Sequence, residues 1–188
     1  LIAGDPVFNY FKLTAGHCFG LLTRVKRQPS KAPATNAQLA SVGQVERSGW
    51  THVDAAGNFT DAEAIGVNAP LTSSDIFYGD PYHLISVMGM ERARLHTEYC
   101  WSGVNGRARE CGVAYERKRD TLEGHRVIGM WTLGASVSGD SGGPVWNPVT
   151  KKAVGILTMH NRTSKKPCTY LDLSLIHISE PTRLTPIS

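Results

Sequence analysis

Gly139-Asp140-Ser141-Gly142-Gly143-Pro144 sets a single serine inside a glycine-rich turn that a proline closes. A serine hydroxyl is a weak nucleophile until a neighbouring base takes its proton. A turn of glycines exposes the oxygen and lets backbone N–H groups point at one spot. Donors placed that way can hold the oxyanion that forms during acyl transfer. Glycines also make tight turns for other reasons, so the information lies in the whole hexapeptide and not in the glycine spacing.

Outward from this turn the chain reads as short strands. Helical periodicity is scarce, and Gly, Pro, Asn and Asp break the sequence at close intervals. Strands are expected over Phe8–Thr14, Gln38–Val45, Ala62–Val67, Tyr82–Met88, Glu98–Ser102, Gly112–Tyr115, Arg126–Trp131, Pro144–Trp146 and Ala153–His160. Many short strands with frequent turn signals imply an all-β barrel or sandwich. The stretch from Ala69 to Pro81, rich in Pro, Ser, Gly and Asp, is the expected linker between two parts of the chain.

A second motif, Leu13-Thr14-Ala15-Gly16-His17-Cys18, puts a histidine just after a strand and a small-residue turn, a suitable place for a general base. Together, residues 14–18 and 139–144 resemble the two signature motifs of the chymotrypsin-like serine proteases. The likeness is to the small secreted bacterial branch, the streptogrisin and alpha-lytic type. It implies two packed antiparallel six-stranded β-barrels, the first of them incomplete here. Residues 1–80 would form that first barrel, 81–172 the second, and 173–188 a tail outside the fold.

The resemblance also assigns roles. Ser141 is the expected nucleophile and His17 the expected base. The N–H groups of Gly139 and Ser141 would form the oxyanion hole. The aspartate that orients the histidine should open a strand between the two. Asp61, in Asp61-Ala62-Glu63-Ala64-Ile65-Gly66-Val67, fits best; Asp54, in a turn, and Asp75, in the linker, are its rivals. The base of the primary specificity pocket falls six residues before the nucleophile, at Ala135, with Ser136, Ser138, Thr158 and His160 as neighbours. Ala135 brings no carboxylate to pair with a buried Arg or Lys side chain. Small or medium apolar side chains are expected there, with acidic ones as the alternative through the hydroxyls and His160. The implied partner is a polypeptide substrate bound to a monomer, with no cofactor and no metal. The fold could also serve a non-catalytic binding module, but intact His17, Asp61 and Ser141 argue against that. An esterase elbow would place the histidine last in the chain, and here it comes first.

Cys100 and Cys111 bracket a polar loop and suit a local disulfide, hence an oxidising, extracellular compartment. The resemblance supports that pairing, because the bacterial branch carries a bonded Cys–loop–Cys–Gly strand pair. Its α-carbons are expected about 4.4–6.8 Å apart. The family partner of Cys18 is missing, so Cys18 is expected to be unpaired, and the pairing of Cys168 stays open. Leu173 to Arg183 resembles the translation of a common transposase sequencing adaptor, so the protein's own sequence is expected to end near Asp172.

Composition narrows the remaining classes. The chain has 188 residues, 41% hydrophobic and 19% charged, with a formal net charge of +4. No apolar run of about 18 residues exists to span a membrane. Basic residues are scattered, without the aromatic-rich basic stripe of a nucleic-acid groove, so no nucleic-acid partner is expected. Residues 54–63 look acidic but lack calcium-loop spacing. Asn58 and Asn161 match the glycosylation pattern and are read as chance. His52, His83, His96 and His125 share no spacing and are expected on the surface or in loops. The tryptophans are expected in the core.

Overall fold

The computed structural model describes residues 10–18, 24–27, 40–48, 57–67, 75–77, 84–86, 88–103, 109–122, 124–134, 136–160 and 168–172. Twelve strands occur among them: β1 (Tyr10–Thr14), β2 (Arg24–Arg27), β3 (Ala40–Ser48), β4 (Glu63–Val67), β5 (Asp75–Phe77), β6 (Leu84–Ser86), β7 (Glu98–Trp101), β8 (Glu110–Leu122), β9 (His125–Thr132), β10 (Pro144–Trp146), β11 (Ala153–His160) and β12 (Cys168–Asp172). A short 3₁₀ turn, Gly16–Cys18, follows β1.

The strands assemble into three sheets. An open four-stranded sheet runs β1-β4-β3-β2, a closed barrel runs β10-β11-β12-β9-β8-β7, and β5 pairs with β6. Every pairing between these strands is antiparallel. The all-β architecture agrees with the strand pattern of the sequence. The second barrel has its six strands; the first sheet shows four among the described residues.

The barrel closes around a core of Ala93, Tyr99, Trp101, Ala114, Met130, Val145, Val154 and Leu157. Trp101 and Trp146 are 1% and 0% exposed, so these two tryptophans are core residues as expected. Trp131 is buried too, beneath the Lys118 ammonium, which stands 4.4 Å from its ring. That contact uses the ring face as a cation's partner.

Several expectations need correction. β8 runs to Leu122, well past Tyr115, because Glu116 to Leu122 pair with Trp131 to His125 on β9. The charged run Glu116-Arg117-Lys118-Arg119-Asp120 hides the strand from a pattern search, since a charged strand needs only a partner and an exposed face. The stretch expected as a linker contains β5, which pairs with β6. β2 and β12 carried no signal strong enough to read; each is a short strand defined by its neighbours. Asn58 is 5% exposed and makes a poor glycosylation acceptor. Asn161, His52, His83 and residues 173–188 lie outside the described residues.

Cys100 and Cys111 are bonded. They face each other directly in the β7–β8 register, and their α-carbons are 4.0 Å apart, closer than expected. Adjacent antiparallel strands bring directly opposed α-carbons to about 4.5 Å in non-hydrogen-bonded pairs, which accounts for the short span. The bridge has a sequence separation of 11. Replacing both cysteines by serine should lower unfolding stability by about 3 kcal/mol, the chain-entropy value for a loop of this size. Denaturant titration under non-reducing conditions measures it, and unchanged stability would assign the bond no structural role.

Candidate active site

His17 sits in the 3₁₀ turn directly after β1, and Asp61 lies two residues before β4. These two strands are hydrogen-bonded neighbours, with Thr14 opposite Glu63. The pairing therefore brings the two residues to the same end of the sheet. The Asp61 carboxylate takes three contacts from one residue. The His17 backbone N–H donates to Oδ1 at 2.9 Å, and Nδ1 lies 3.1 Å from Oδ1 and 3.0 Å from Oδ2. The Asp61 side chain is 1% exposed and that of His17 is 17% exposed, so only the histidine is open to a reactant. With Nδ1–H donating to the carboxylate, Nε2 keeps its lone pair and can accept a proton. Of the rival aspartates, Asp54 lies outside the described residues, and Asp75 opens β5.

Ser141 belongs to the barrel. Its Oγ donates to the Thr158 carbonyl at 3.2 Å, and its own carbonyl lies 3.9 Å from the Cys18 Sγ. Cys18 follows His17 directly, so the serine's backbone rests against the turn that carries the histidine. Cys18 forms no disulfide. A small apolar cluster of Ala15, Ala62 and Ile156, with Cys18 packed against it, joins the two halves at this point. Ala15 and Ala62 flank the segments of His17 and Asp61, and Ile156 precedes Thr158 on β11. Short side chains allow the close approach.

The turn around Ser141 is fixed from within. Asp140 is 3% exposed, and its carboxylate accepts the Val137 N–H at 3.0 Å. The Asp140 N–H donates to the Val137 carbonyl, the Gly142 N–H to Leu157, and the Gly143 N–H to Asp140. Among the described residues, the N–H groups of Gly139 and Ser141 donate to no protein acceptor. These are the two donors that the sequence marks for an oxyanion. Gly139 and Gly142 have φ of 93° and 86°, in the left-handed region that side chains avoid. A Cβ at Gly142 would also run into the Thr14 hydroxyl, so this position needs glycine twice over.

The pocket residues are only partly visible. Thr158 is buried, and Ser136 and Ser138 lie on the loop leading into the turn. His160 ends β11 opposite Cys168. Ala135 lies outside the described residues. His125 opens β9 and is half-buried, and its ring meets Phe59 edge-on with ring centroids 4.2 Å apart. Nothing in their spacing pairs residues so far apart in the chain.

Solved structures superpose on most of the chain. Thermobifida fusca protease A matches with a TM-score of 0.64 at 21% identity, covering 86% of this chain and 76% of its own. Cellulomonas bogoriensis chymotrypsin matches at 0.61 and 18%, covering 85% and 76%. A glutamic-acid-specific serine protease matches at 0.65 and 17%, covering 87% and 80%. The fold is chymotrypsin-like. No protein-family model matches the chain, and no curated protein matches it. Among the described residues of this chain, the four-stranded first sheet and the closed barrel meet at one seam, and His17, Asp61 and Ser141 all lie along it.

Proposed function

We propose that the protein is an exported serine endopeptidase acting through an acyl-enzyme. The observation that carries this reading is the convergence at the seam: a histidine held through Nδ1 by a buried carboxylate, beside a serine on a turn whose Gly139 and Ser141 N–H groups donate to no acceptor among the described residues. In the proposed reaction the Ser141 hydroxyl leaves the Thr158 carbonyl and gives its proton to His17 Nε2 as Oγ attacks the scissile carbonyl. Asp61 fixes the imidazole tautomer and offsets the charge that the ring gains. The Gly139 and Ser141 N–H groups receive the oxyanion. His17 then protonates the leaving amine, and water cleaves the acyl-enzyme by the same route.

The substrate is read as an extended polypeptide. β10 pairs with β11 only as far as Ile156, and the turn glycines occupy that edge at Leu157. Beyond it, the Thr158–His160 edge suits the addition of a peptide strand. The protein is read as a monomer that needs no cofactor. The disulfide supports an oxidising, extracellular setting.

A fluorophosphonate probe tests the reading. Mass spectrometry should find the label on the peptide that contains Ser141, and the labelled enzyme should lose peptide hydrolysis. A folded protein that neither takes the probe nor cuts peptides would instead be a binding module. The same preparation, given a peptide library, should show no dominant cleavage after Arg or Lys, because Ala135 supplies no countercharge. Small or medium apolar residues are the first expectation. His160 favours a second reading, cleavage after acidic residues, and a preference for Glu that disappears in His160→Ala would establish it.

A further inference from the structure

The segment that presents Asp61 does not depend on its own sheet alone. β12 covers the edge of β9 only from Met130 to Thr132, where Tyr170, Thr169 and Cys168 pair with it. Toward His125 that edge is met by the segment before Asp61. The Phe59 N–H donates to the Arg126 carbonyl at 2.7 Å, and Phe59 forms a parallel bridge with Val127. Its ring meets the His125 ring at 4.2 Å with an interplanar angle of 73°, the edge-to-face arrangement that aromatic rings prefer. Gly57, at φ 77°, passes so close to β9 that a Cβ there would meet the Arg126 guanidinium.

Two residues after Phe59 comes Asp61. The Ala62 N–H donates to the Thr60 carbonyl at 2.8 Å, so the chain turns tightly between clamp and carboxylate. The apolar packing at the seam among the described residues includes the cluster of Ala15, Ala62, Ile156 and Cys18. Short side chains of that kind permit sliding. A backbone bridge with an aromatic pair resists it, because register and ring position must both be given up.

We infer that Phe59 is a positioning residue: docked on the edge of β9, it holds Asp61, and through it His17, in register with the barrel that carries Ser141. The inference rests on the hydrolase reading above. Its expected size follows from how steeply catalysis depends on alignment, since a displacement of about 1 Å costs about 100-fold.

The experiment compares wild type, Phe59→Ala, Phe59→Tyr and His125→Ala well below their melting temperatures, by kcat and KM for a peptide substrate and by the rate of fluorophosphonate labelling at Ser141. Phe59→Ala should lower kcat about 100-fold while KM moves less than about threefold, the pattern of a lost transition-state contribution and not of lost binding. Phe59→Tyr keeps the ring and the bridge and should stay within about threefold of wild type. His125→Ala removes the ring partner from the other barrel and should lower kcat about tenfold, which keeps the inference testable should Phe59→Ala fail to fold. In an Asp61→Asn background, Phe59→Ala should add less than about threefold, because residues acting through one another are not additive. A merely structural role would lower the melting temperature and leave kcat unchanged in the folded variants, and that result overturns the inference. If wild type takes the probe and Phe59→Ala reacts at the wild-type rate, this inference alone falls. If wild type takes no probe, the hydrolase reading falls and this inference falls with it.

Discussion

Ser141→Ala should lower peptide hydrolysis about a millionfold, leaving a residual rate from substrate binding and the oxyanion donors. The size follows from the chemistry: alanine has no oxygen to form the acyl-enzyme, and neither His17 nor Asp61 can supply one. The fold should be unaffected. The hydroxyl's hydrogen bond to Thr158 is a side-chain contact on a turn that Asp140, Gly142 and Gly143 hold by other bonds. The measurement is kcat on a purified variant, with its circular dichroism spectrum matched to wild type. Retention of more than about a tenth of the activity would place the nucleophile elsewhere, since the loss of a true nucleophile costs several orders of magnitude.

Asp61→Asn should cost about 10⁴ in kcat, the scale set by an asparagine that traps the histidine in the wrong tautomer. In the present geometry both carboxylate oxygens face Nδ1, and Oδ1 also accepts the His17 backbone N–H. An amide keeps the shape and offers one acceptor and one donor. The backbone N–H holds the remaining oxygen, so the amide's donor faces Nδ1 and turns Nε2 into an N–H that cannot accept the serine proton. KM should change little, because the side chain is buried away from substrate. Asp54→Asn and Asp75→Asn provide the comparison and should stay close to wild type. Loss of activity in either of these, with Asp61→Asn unimpaired, would overturn the assignment.

The fold and the candidate site were legible to different depths. Turn chemistry is local, so Gly139 to Pro144 could be read directly: the left-handed φ values at Gly139 and Gly142 need glycine whatever surrounds them. Strands with an alternating or continuously apolar pattern were legible for the same reason, and Pro144–Trp146 and Ala153–His160 have the expected bounds. The second half of β8 was not, because its residues are charged and it is a strand only through its pairing with β9. β12 likewise owes its state to the two strands that it joins in closing the barrel.

By itself, the sequence determined the residue types that the chemistry requires and the local turns that display them: a serine in a glycine turn, a histidine after a strand, and a pair of cysteines across a short loop. It did so because backbone conformation over a few residues depends on those residues alone. The resemblance favoured Asp61 over Asp54 and Asp75, but the contact of its carboxylate with the histidine was left to the tertiary structure. Only the register of β1 against β4 brings Asp61 to within 3.0 Å of His17. The tertiary structure also decided which N–H groups of the turn donate to no acceptor among the described residues, and that Phe59 would meet His125. Both follow from hydrogen bonds and packing between segments far apart in the chain, and contacts of that kind exist only once the first sheet has packed on the barrel.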